Sequence, residues 1–325
     1  MEVNNKVTVI IPHWKGRLYK DAFKSLSVPP EDVYLASSII AHHPPQKALR
    51  FQRNEPTYKR NYTAFTQPMR EYICFMDDDV EVHYRCIERM AGYLDKHKDV
   101  GMVYALLLQK GTTTIDTAGS WLTSTGFLFE SYEYPEEDTL VLSGKSACCM
   151  IRRDLFFEIG GFDEDFVIYG EETDLSWRVW LAGHKVTIHR YSTADHAFGS
   201  KIKGPEYYNK RFIHYHGCKN YITMLIKNLQ LRNFWMVGIN FSIWTGVGIC
   251  FLFRNRQVSK WIFQGLWYVI THLPLIWRKR QKIQKNRKHS DKELFKYIMH
   301  NPGWKYYFNR IKDYLTHQLH RRSDV

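Results

Sequence analysis

The sequence predicts an α/β fold in which helices flank a mostly parallel central sheet, with a helical extension at the C-terminal end. Short β-branched runs alternate with helical patterns over about the first 200 residues, an order typical of parallel strands joined by crossover helices. Two long apolar segments and a strongly basic run follow. The length of 325 residues is enough for one large domain with an appendage.

Local patterns place the elements of the first region. Four apolar, largely β-branched runs predict buried strands: KVTVIIP (6–12), DVYLASSII (32–40), EYICFMDDD (71–79) and GMVYALLLQ (101–109). Helical patterns lie between them over residues 19–26, 59–65 and 82–97. Because ligands gather at the carboxyl ends of parallel strands, the acidic end of the third strand is a candidate site.

The middle of the chain predicts a long functional loop followed by further elements. Residues 111–144 are rich in Thr, Gly and acids, and loops of that length in compact domains are often functional. SACCMIRRDLFFEIGGFDEDF (146–166) then predicts a strand and a short helix. GEETDLSWRVWLAGHKVTIH (170–189) predicts a helix that ends at Gly183, followed by a strand.

Composition favours anionic partners and a reducing compartment. The formal net charge is +13, and the acids concentrate in the first two thirds of the chain while the last third is basic. A hydrophobic fraction of 44% argues against wholesale disorder. The six cysteines show no CxxC spacing, and the first apolar run is too short for a signal peptide. We therefore expect the body of the protein in the cytoplasm.

Two apolar segments near the C-terminal end suggest attachment to a membrane. Residues 234–253 form a run of twenty residues without a charge, and residues 261–277 are almost entirely apolar. They could instead be core helices of a second domain. A spanning hairpin would place the basic residues 254–260 outside, against the positive-inside tendency. Helices lying in the plane of an anionic membrane surface fit the charges better.

Three adjacent acids, Asp77, Asp78 and Asp79, follow the third strand. Adjacent carboxylates repel one another unless a cation offsets their charge, and oxygen ligands suit Mg²⁺ or Mn²⁺. Alternation along the chain predicts that Asp77 and Asp79 point the same way, with Asp78 opposed. The alternative is a solvated turn into a helix over 82–97, whose N-terminus favours acids.

Three later residues are further candidates. Glu171 and Glu172 begin a predicted helix, where acids either complement the helix dipole or supply a general base. His196 follows the last predicted strand, and it is a metal-ligand candidate only if Asp79 lies nearby.

The ordered motifs together resemble a known family. VTVIIP, YKRN, YICFMDDDVEV, AGSWLTSTG, LSGKSACCMIRRDLFFEIGGFDEDF and YGEETDLSWRVWLAGHKV, with a histidine before FGS, resemble the family 2 glycosyltransferases. In particular they are similar to the rhamnosyltransferase-like branch that builds bacterial surface polysaccharides. The resemblance covers about residues 6–220, and LPLIWRKRQKIQKNRK also looks like that branch's C-terminal end.

The resemblance implies a GT-A fold and an inverting, metal-dependent transfer of a sugar from a nucleotide-diphosphate donor. The acceptor would be a lipid-linked or other glycan at the cytoplasmic face of the cell membrane. Matching positions imply donor-binding roles for Pro12, Trp14, Arg60, Asp77, Asp78, Gly144 and Lys145. They also imply Mn²⁺ or Mg²⁺ ligands at Asp77, Asp79 and His196, with Glu172 as the catalytic base. The implied domains are a catalytic domain over 1–220, a membrane-associating segment over 221–290 and a basic helical tail over 291–325.

Two departures from the family pattern leave alternatives open. The family usually has Asp where Glu172 stands, so the base could instead be Glu171. The acid that usually follows the second strand is absent from YLASSIIAHHPP, which leaves the nucleobase open. A catalytically silent scaffold and a basic nucleic-acid-binding module are the rival functions. Because the basic run adjoins apolar segments, a membrane is favoured and no nucleic-acid partner is expected.

Overall fold

In a computed structural model, the described residues are 6–13, 19–27, 30–37, 47–53, 55–197 and 210–316. The chain divides into two compact units. Unit 1 comprises Met1–Ser120, Glu130–Ser200 and Arg287–His289, and unit 2 comprises Trp121–Phe129, Lys201–Asn286 and Ser290–Val325.

The strands belong mainly to unit 1. They are β1 Val7–His13, β2 Val33–Ser37, β3 Ala48–Arg50, β4 Tyr72–Met76, β5 Val80–Val82, β6 Val100–Gln109, β7 Ile115–Thr117, β8 Ser120–Leu122, β9 Leu128–Glu130, β10 Thr139–Leu140, β11 Cys148–Arg152 and β12 Lys185–His196.

Helices occur in both units. Those of unit 1 are α1 Tyr19–Lys24, α2 Pro56–Thr66, α3 Cys86–Lys96, α4 Arg153–Glu158 and α5 Glu171–Leu181. Those of unit 2 are α6 Arg211–Asn228, α7 Trp235–Arg254, α8 Arg256–Thr271, α9 Leu273–Lys285, α10 Asp291–Ile298 and α11 Trp304–Thr316.

The central sheet of unit 1 has the order β3-β2-β1-β4-β11-β6-β12-β10. Pairing is parallel for β1 with β2 and β4, for β2 with β3, and for β12 with β6, whereas β11 is antiparallel to both of its neighbours. Six of these eight strands therefore run in one direction, and β11 and the short edge strand β10 run against them. The predicted α/β class with a mostly parallel sheet is confirmed. Helix α5 also ends as predicted, with Gly183 at a left-handed φ of 90°.

The region after the acidic triplet differs from the prediction. Residues 80–82 form strand β5, which pairs antiparallel with β12, and helix α3 begins only at Cys86. The alternation of buried Val80 and Val82 with partly exposed Glu81 suits a half-buried strand. The predicted helix start at residue 82 was therefore wrong, and the acids do not cap a helix. The segment 111–144 contains four short strands, and β3 was not predicted.

Unit 2 is helical around an apolar core. The core residues come from α6, α7, α8 and α9: Cys218, Ile222, Ile226, Trp244, Phe251, Val258, Ile262, Leu266, Val269 and Ile276. By length and composition alone, the segment Leu231–Arg254 could cross a membrane, and 28% of its apolar window is buried. The second predicted apolar segment is divided at His272, between α8 and α9.

Candidate active site

The acidic turn after β4 and the end of β12 bring three potential metal ligands together. Asp77, Asp79 and His196 offer ligand atoms that all lie within 4.8 Å of one another. His196 reaches the turn because it pairs with Val80 where β12 meets β5, and its Nε2 lies 3.6 Å from Asp79 Oδ1. Two carboxylates and an imidazole form a donor set that suits a divalent cation such as Mn²⁺.

A buried carboxylate, Asp116, orients this histidine. Its Oδ2 lies 2.9 Å from His196 Nδ1 and also accepts a hydrogen bond of 2.9 Å from Lys145 Nζ. Burial by itself would raise the pKa of Asp116, but the His196 hydrogen bond and the Lys145 charge hold it well below its usual range. An ionised Asp116 accepts the Nδ1 proton and directs Nε2 toward Asp79.

Arg60 joins the acidic turn to the start of α5. Its side chain is 1% exposed, and it donates a 2.5 Å hydrogen bond to Asp77 Oδ1 while Nη1 lies 3.7 Å from Glu171 Oε1. Burial opposes its charge, but Asp77 and Glu171 outweigh that penalty and raise the pKa of Arg60. The carboxylates of two distant segments therefore converge on one guanidinium.

The two glutamates at the start of α5 have different surroundings. Glu171 is buried against Arg60, whereas Glu172 is partly exposed. Burial and then the charge of Glu171 raise the pKa of Glu172 well above the ordinary glutamate value. Burial also raises the pKa of Glu171, although Arg60 opposes this shift. Glu172 therefore has the properties of a general base, a carboxylate with an elevated pKa that solvent can reach.

Asp78 turns away from this group, as the alternation predicted. Its Oδ2 lies 2.6 Å from Nδ1 of the buried His13 at the end of β1. Lys59 Nζ donates a 2.7 Å hydrogen bond to the His13 carbonyl oxygen, and burial lowers the pKa of Lys59 to about 8, against the effect of Asp78. This is a second polar cluster at the same edge of the sheet.

Gly144 packs against Tyr104 in the core beside α5. A Cβ at Gly144 would lie 2.6 Å from Tyr104 Cγ, so no larger residue fits without a shift. The Tyr104 hydroxyl lies 2.7 Å from Ser176 Oγ on α5, one turn beyond Glu172. Gly144 thus has a packing role, and its neighbour Lys145 reaches the metal-ligand group through Asp116.

The structure unites most of the predicted site residues. Asp77, Asp79 and His196 form one group, Arg60 links it to Glu171, and Lys145 contacts it through Asp116. Pro12 is buried within β1 opposite Ala36, and Trp14 lies outside the described residues. The sequence analysis missed Asp116, His13, Lys59 and Tyr104. Only the acid in TIDTAGS, before a predicted motif, could have signalled Asp116.

Comparisons with known proteins agree with the fold. Residues 34–160 match the family described as glycosyl transferase family 2. No curated protein is significantly similar in sequence. The structure of GalNAc-T7 with UDP, GalNAc and Mn²⁺ is similar with a TM-score of 0.63 and 14% identity, over 90% of this chain and 57% of that one. S. aureus TarS residues 1–349 are similar with a TM-score of 0.55 and 11% identity, over 86% and 88% of the two chains. This chain thus spans just over half the length of the GalNAc-T7 structure, and the shared fold is GT-A.

Proposed function

We propose that the protein is a metal-dependent, inverting glycosyltransferase that uses a nucleotide-diphosphate sugar. One observation carries this proposal: Asp77, Asp79 and His196 form a cation-binding group, and Arg60 connects it to the glutamate pair of α5. The family match over residues 34–160 and the nucleotide and Mn²⁺ bound by GalNAc-T7 support it.

The donor set fits a divalent cation at the diphosphate. Asp77, Asp79 and His196 would hold Mn²⁺ or Mg²⁺, because carboxylate oxygens and imidazole suit these ions. When bound, the cation supplies positive charge that stabilises the departing diphosphate. Asp116 keeps the imidazole in one tautomer, and Lys145 keeps Asp116 ionised.

Glu172 is the proposed base. As the carboxylate, it would accept the proton of the acceptor hydroxyl while that oxygen attacks the anomeric carbon from the face opposite the leaving group. Glu171 is less suited because its carboxylate is buried against Arg60. Arg60 would act as a positioning residue that fixes the carboxylates of Asp77 and Glu171 relative to each other.

The proposal extends to the donor sugar, the acceptor and the place of the reaction. The donor would carry a hexosyl or deoxyhexosyl group, as the rhamnosyltransferase-like motifs suggest. The acceptor would be a lipid-linked or other glycan in surface polysaccharide synthesis, handled at the cytoplasmic face of an anionic membrane. Asp78 would contact the nucleotide side of the donor, supported from behind by the buried His13, whose carbonyl oxygen accepts a hydrogen bond from Lys59.

A donor panel tests the proposal. Thermal shift of the purified full chain with each nucleotide sugar should show stabilisation that requires Mn²⁺, followed by transfer or slow hydrolysis of the same donor. Asp79→Ala should abolish the Mn²⁺-dependent shift, and Glu172→Gln should keep the shift but lose turnover. Asp154→Ala is the matched control, because that carboxylate is 85% exposed on α4. Donor binding without turnover by the wild type would favour the silent scaffold, and the absence of any shift would refute donor binding.

A further inference from the structure

Helix α7 turns an apolar stripe outward. Its buried residues, Met236, Asn240, Trp244, Gly248 and Phe251, occupy one side of the helical wheel. The opposite side carries exposed residues that are apolar or small except for Ser242: Trp235, Ile239, Ser242, Gly246, Ile249, Cys250 and Phe253, of which Phe253 is 89% exposed. A helix at a water-facing surface normally places charges on this side. We call these exposed residues the outer stripe.

Helix α8 continues the pattern and adds positive charge. Trp267 is 65% exposed and Ile270 is 52% exposed, and on the wheel they share a side with the exposed Arg256 and Lys260. Exposed aromatic residues beside basic residues are typical of a membrane interface.

The charge of this region has a single sign. The sequence has no Asp or Glu between Glu206 and Asp291, a stretch that includes all of α6 to α9. Basic residues follow the apolar elements at the turn from α7 to α8, Arg254 and Arg256, and along α9, Arg278 and Lys282. An apolar surface surrounded only by positive charge is complementary to an anionic bilayer, since acidic residues would be repelled there.

Helix α6 packs against α8 on the inner side of the unit and carries buried lysines, which disfavours a simple spanning hairpin. Gly265 of α8 would place a Cβ 3.0 Å from the Tyr215 carbonyl oxygen, so the two helices pack closely. On α6, the side chains of Lys219 and Lys227 are buried within the unit. A hairpin that crossed the bilayer would carry these lysines into the hydrocarbon, where each costs about 3 kcal/mol or more.

We infer that the outer stripe of α7, with Trp267 and Ile270 of α8, lies in the plane of an anionic bilayer without crossing it. The bilayer covers the exposed apolar side chains, and the surrounding Arg and Lys side chains meet lipid phosphates. This inference extends the proposed role at a lipid-linked acceptor. Its test needs neither donor nor turnover, so its failure would leave the transferase proposal intact.

The native Cys250 is a probe for this contact. Cys250 is exposed on the outer stripe, and the other described cysteines are buried. Vesicles of phosphatidylcholine with phosphatidylglycerol should slow modification of Cys250 by a charged, impermeant thiol reagent by roughly tenfold, whereas phosphatidylcholine alone should not. Cys250→Ser should remove the labelling. An unchanged rate on protein that sediments with the vesicles would overturn the inference, as would a lack of sedimentation.

Paired variants distinguish binding through the proposed surface from attraction by the total charge of the protein. Arg256→Gln with Lys260→Gln should weaken partition into anionic vesicles by roughly tenfold or more, since each basic residue near the surface contributes several-fold. Phe253→Ser should weaken it without a change in charge. The matched control is Lys24→Gln with Lys98→Gln, which removes two exposed charges from unit 1. An equal loss in the control would show non-specific attraction and overturn the assignment.

A cysteine at the helical turn distinguishes lying from spanning. In a Cys250→Ser background, Gln257→Cys would sit beside the α7–α8 turn. If the helices lie in the plane, reagent added outside the vesicles labels this position and reagent trapped in the lumen does not. Labelling from the lumen would show a spanning hairpin and contradict in-plane attachment.

Discussion

Unit 1 buries a few charged side chains beside charged partners, whereas unit 2 exposes several large apolar side chains. Arg60 is 1% exposed, between Asp77 and Glu171, whereas Phe253 is 89% exposed on α7. Both arrangements are costly for a protein in water, because buried charge loses hydration and exposed apolar surface orders water. Each therefore indicates where an external partner is expected: a cation and a diphosphate in unit 1, and a lipid surface in unit 2.

The largest effect is expected at the proposed base. Glu172→Gln should reduce turnover by about 100-fold or more, because general-base catalysis contributes on the order of 10²–10⁴. For the wild type, kcat/KM should rise with pH through an apparent pKa above the ordinary glutamate value, since only the carboxylate accepts a proton. Glu171→Gln is the comparison variant. A greater loss of turnover in Glu171→Gln than in Glu172→Gln would reverse the assignment.

The same substitution should stabilise the fold at neutral pH. The folded protein holds the Glu172 proton more tightly than the unfolded chain does, so stability falls as the pH rises through the raised pKa. Glutamine lacks this charge. Glu172→Gln should therefore unfold at a higher temperature than the wild type when the pH is above the raised pKa of Glu172. The difference should vanish in acid, at a pH below the pKa of this glutamate in the unfolded chain. Thermal unfolding across pH measures it.

The buried ion pair should outweigh a surface pair of similar length. Arg60→Met should lower the free energy of unfolding by about 3 kcal/mol, because it leaves Asp77 and Glu171 without their cation. The control, Arg153→Met, removes a 2.8 Å pair with the exposed Asp154 and should cost less than about 1 kcal/mol. Urea unfolding of both variants checks this difference, and equal costs would contradict the importance of burial.

A smaller effect is expected from the group behind the metal ligands. Asp116→Asn should weaken Mn²⁺ binding by about 10- to 100-fold, because the amide no longer fixes the His196 tautomer as a carboxylate does. Calorimetric titration of the metal measures this without turnover. Asp138→Asn is the control, since Asp138 lies 3.9 Å from His189, outside the ligand group. Unchanged affinity in Asp116→Asn would leave Asp116 with a structural role alone.

The smallest effect concerns packing beside the site. Gly144→Ala should cost about 1–3 kcal/mol, because its Cβ would overlap Tyr104. Gly92→Ala in α3 meets nothing within 4 Å and should instead stabilise by up to about 1 kcal/mol. Chemical denaturation should show opposite signs for the two changes in the free energy of unfolding. That result would confirm that position 144 needs glycine because Tyr104 lies so close, and not because of its backbone conformation.

Local pattern was sufficient for the long buried strands and for the orientation of the acids. The β-branched runs located β1, β2, β4 and β6, and alternation correctly separated Asp78 from Asp77 and Asp79. The ordered motifs located the GT-A fold. These features can be predicted because they depend on the periodicity and the types of residues that are close together in the sequence.

Contacts between segments that are distant in the chain could not be predicted from the sequence. His196 meets Asp79 only because Val80–Val82 form a strand against β12, whereas the sequence analysis had started a helix at residue 82. Asp116 lies in a short strand of a segment predicted as loop, where one acid among several has no distinctive signal. The contact of Arg60 with Glu171 joins α2 to α5, and no local pattern encodes it.

The reversed strand β11 makes the chain sensitive to length at one point. Cys148 pairs with Met76, and the Asp77 N–H donates a 2.9 Å hydrogen bond to the Ala147 carbonyl oxygen. The backbone just after Lys145 is therefore fixed to β4, and this fixes the position from which Lys145 reaches Asp116. Removing a single residue from 145–147 would shift the few residues just before the deletion by one position relative to β11 and turn their side chains to the opposite face of the sheet. Adding several residues at the exposed bend near 136–137 would leave that alignment intact, which makes the bend the place for inserting a tag or a foreign loop.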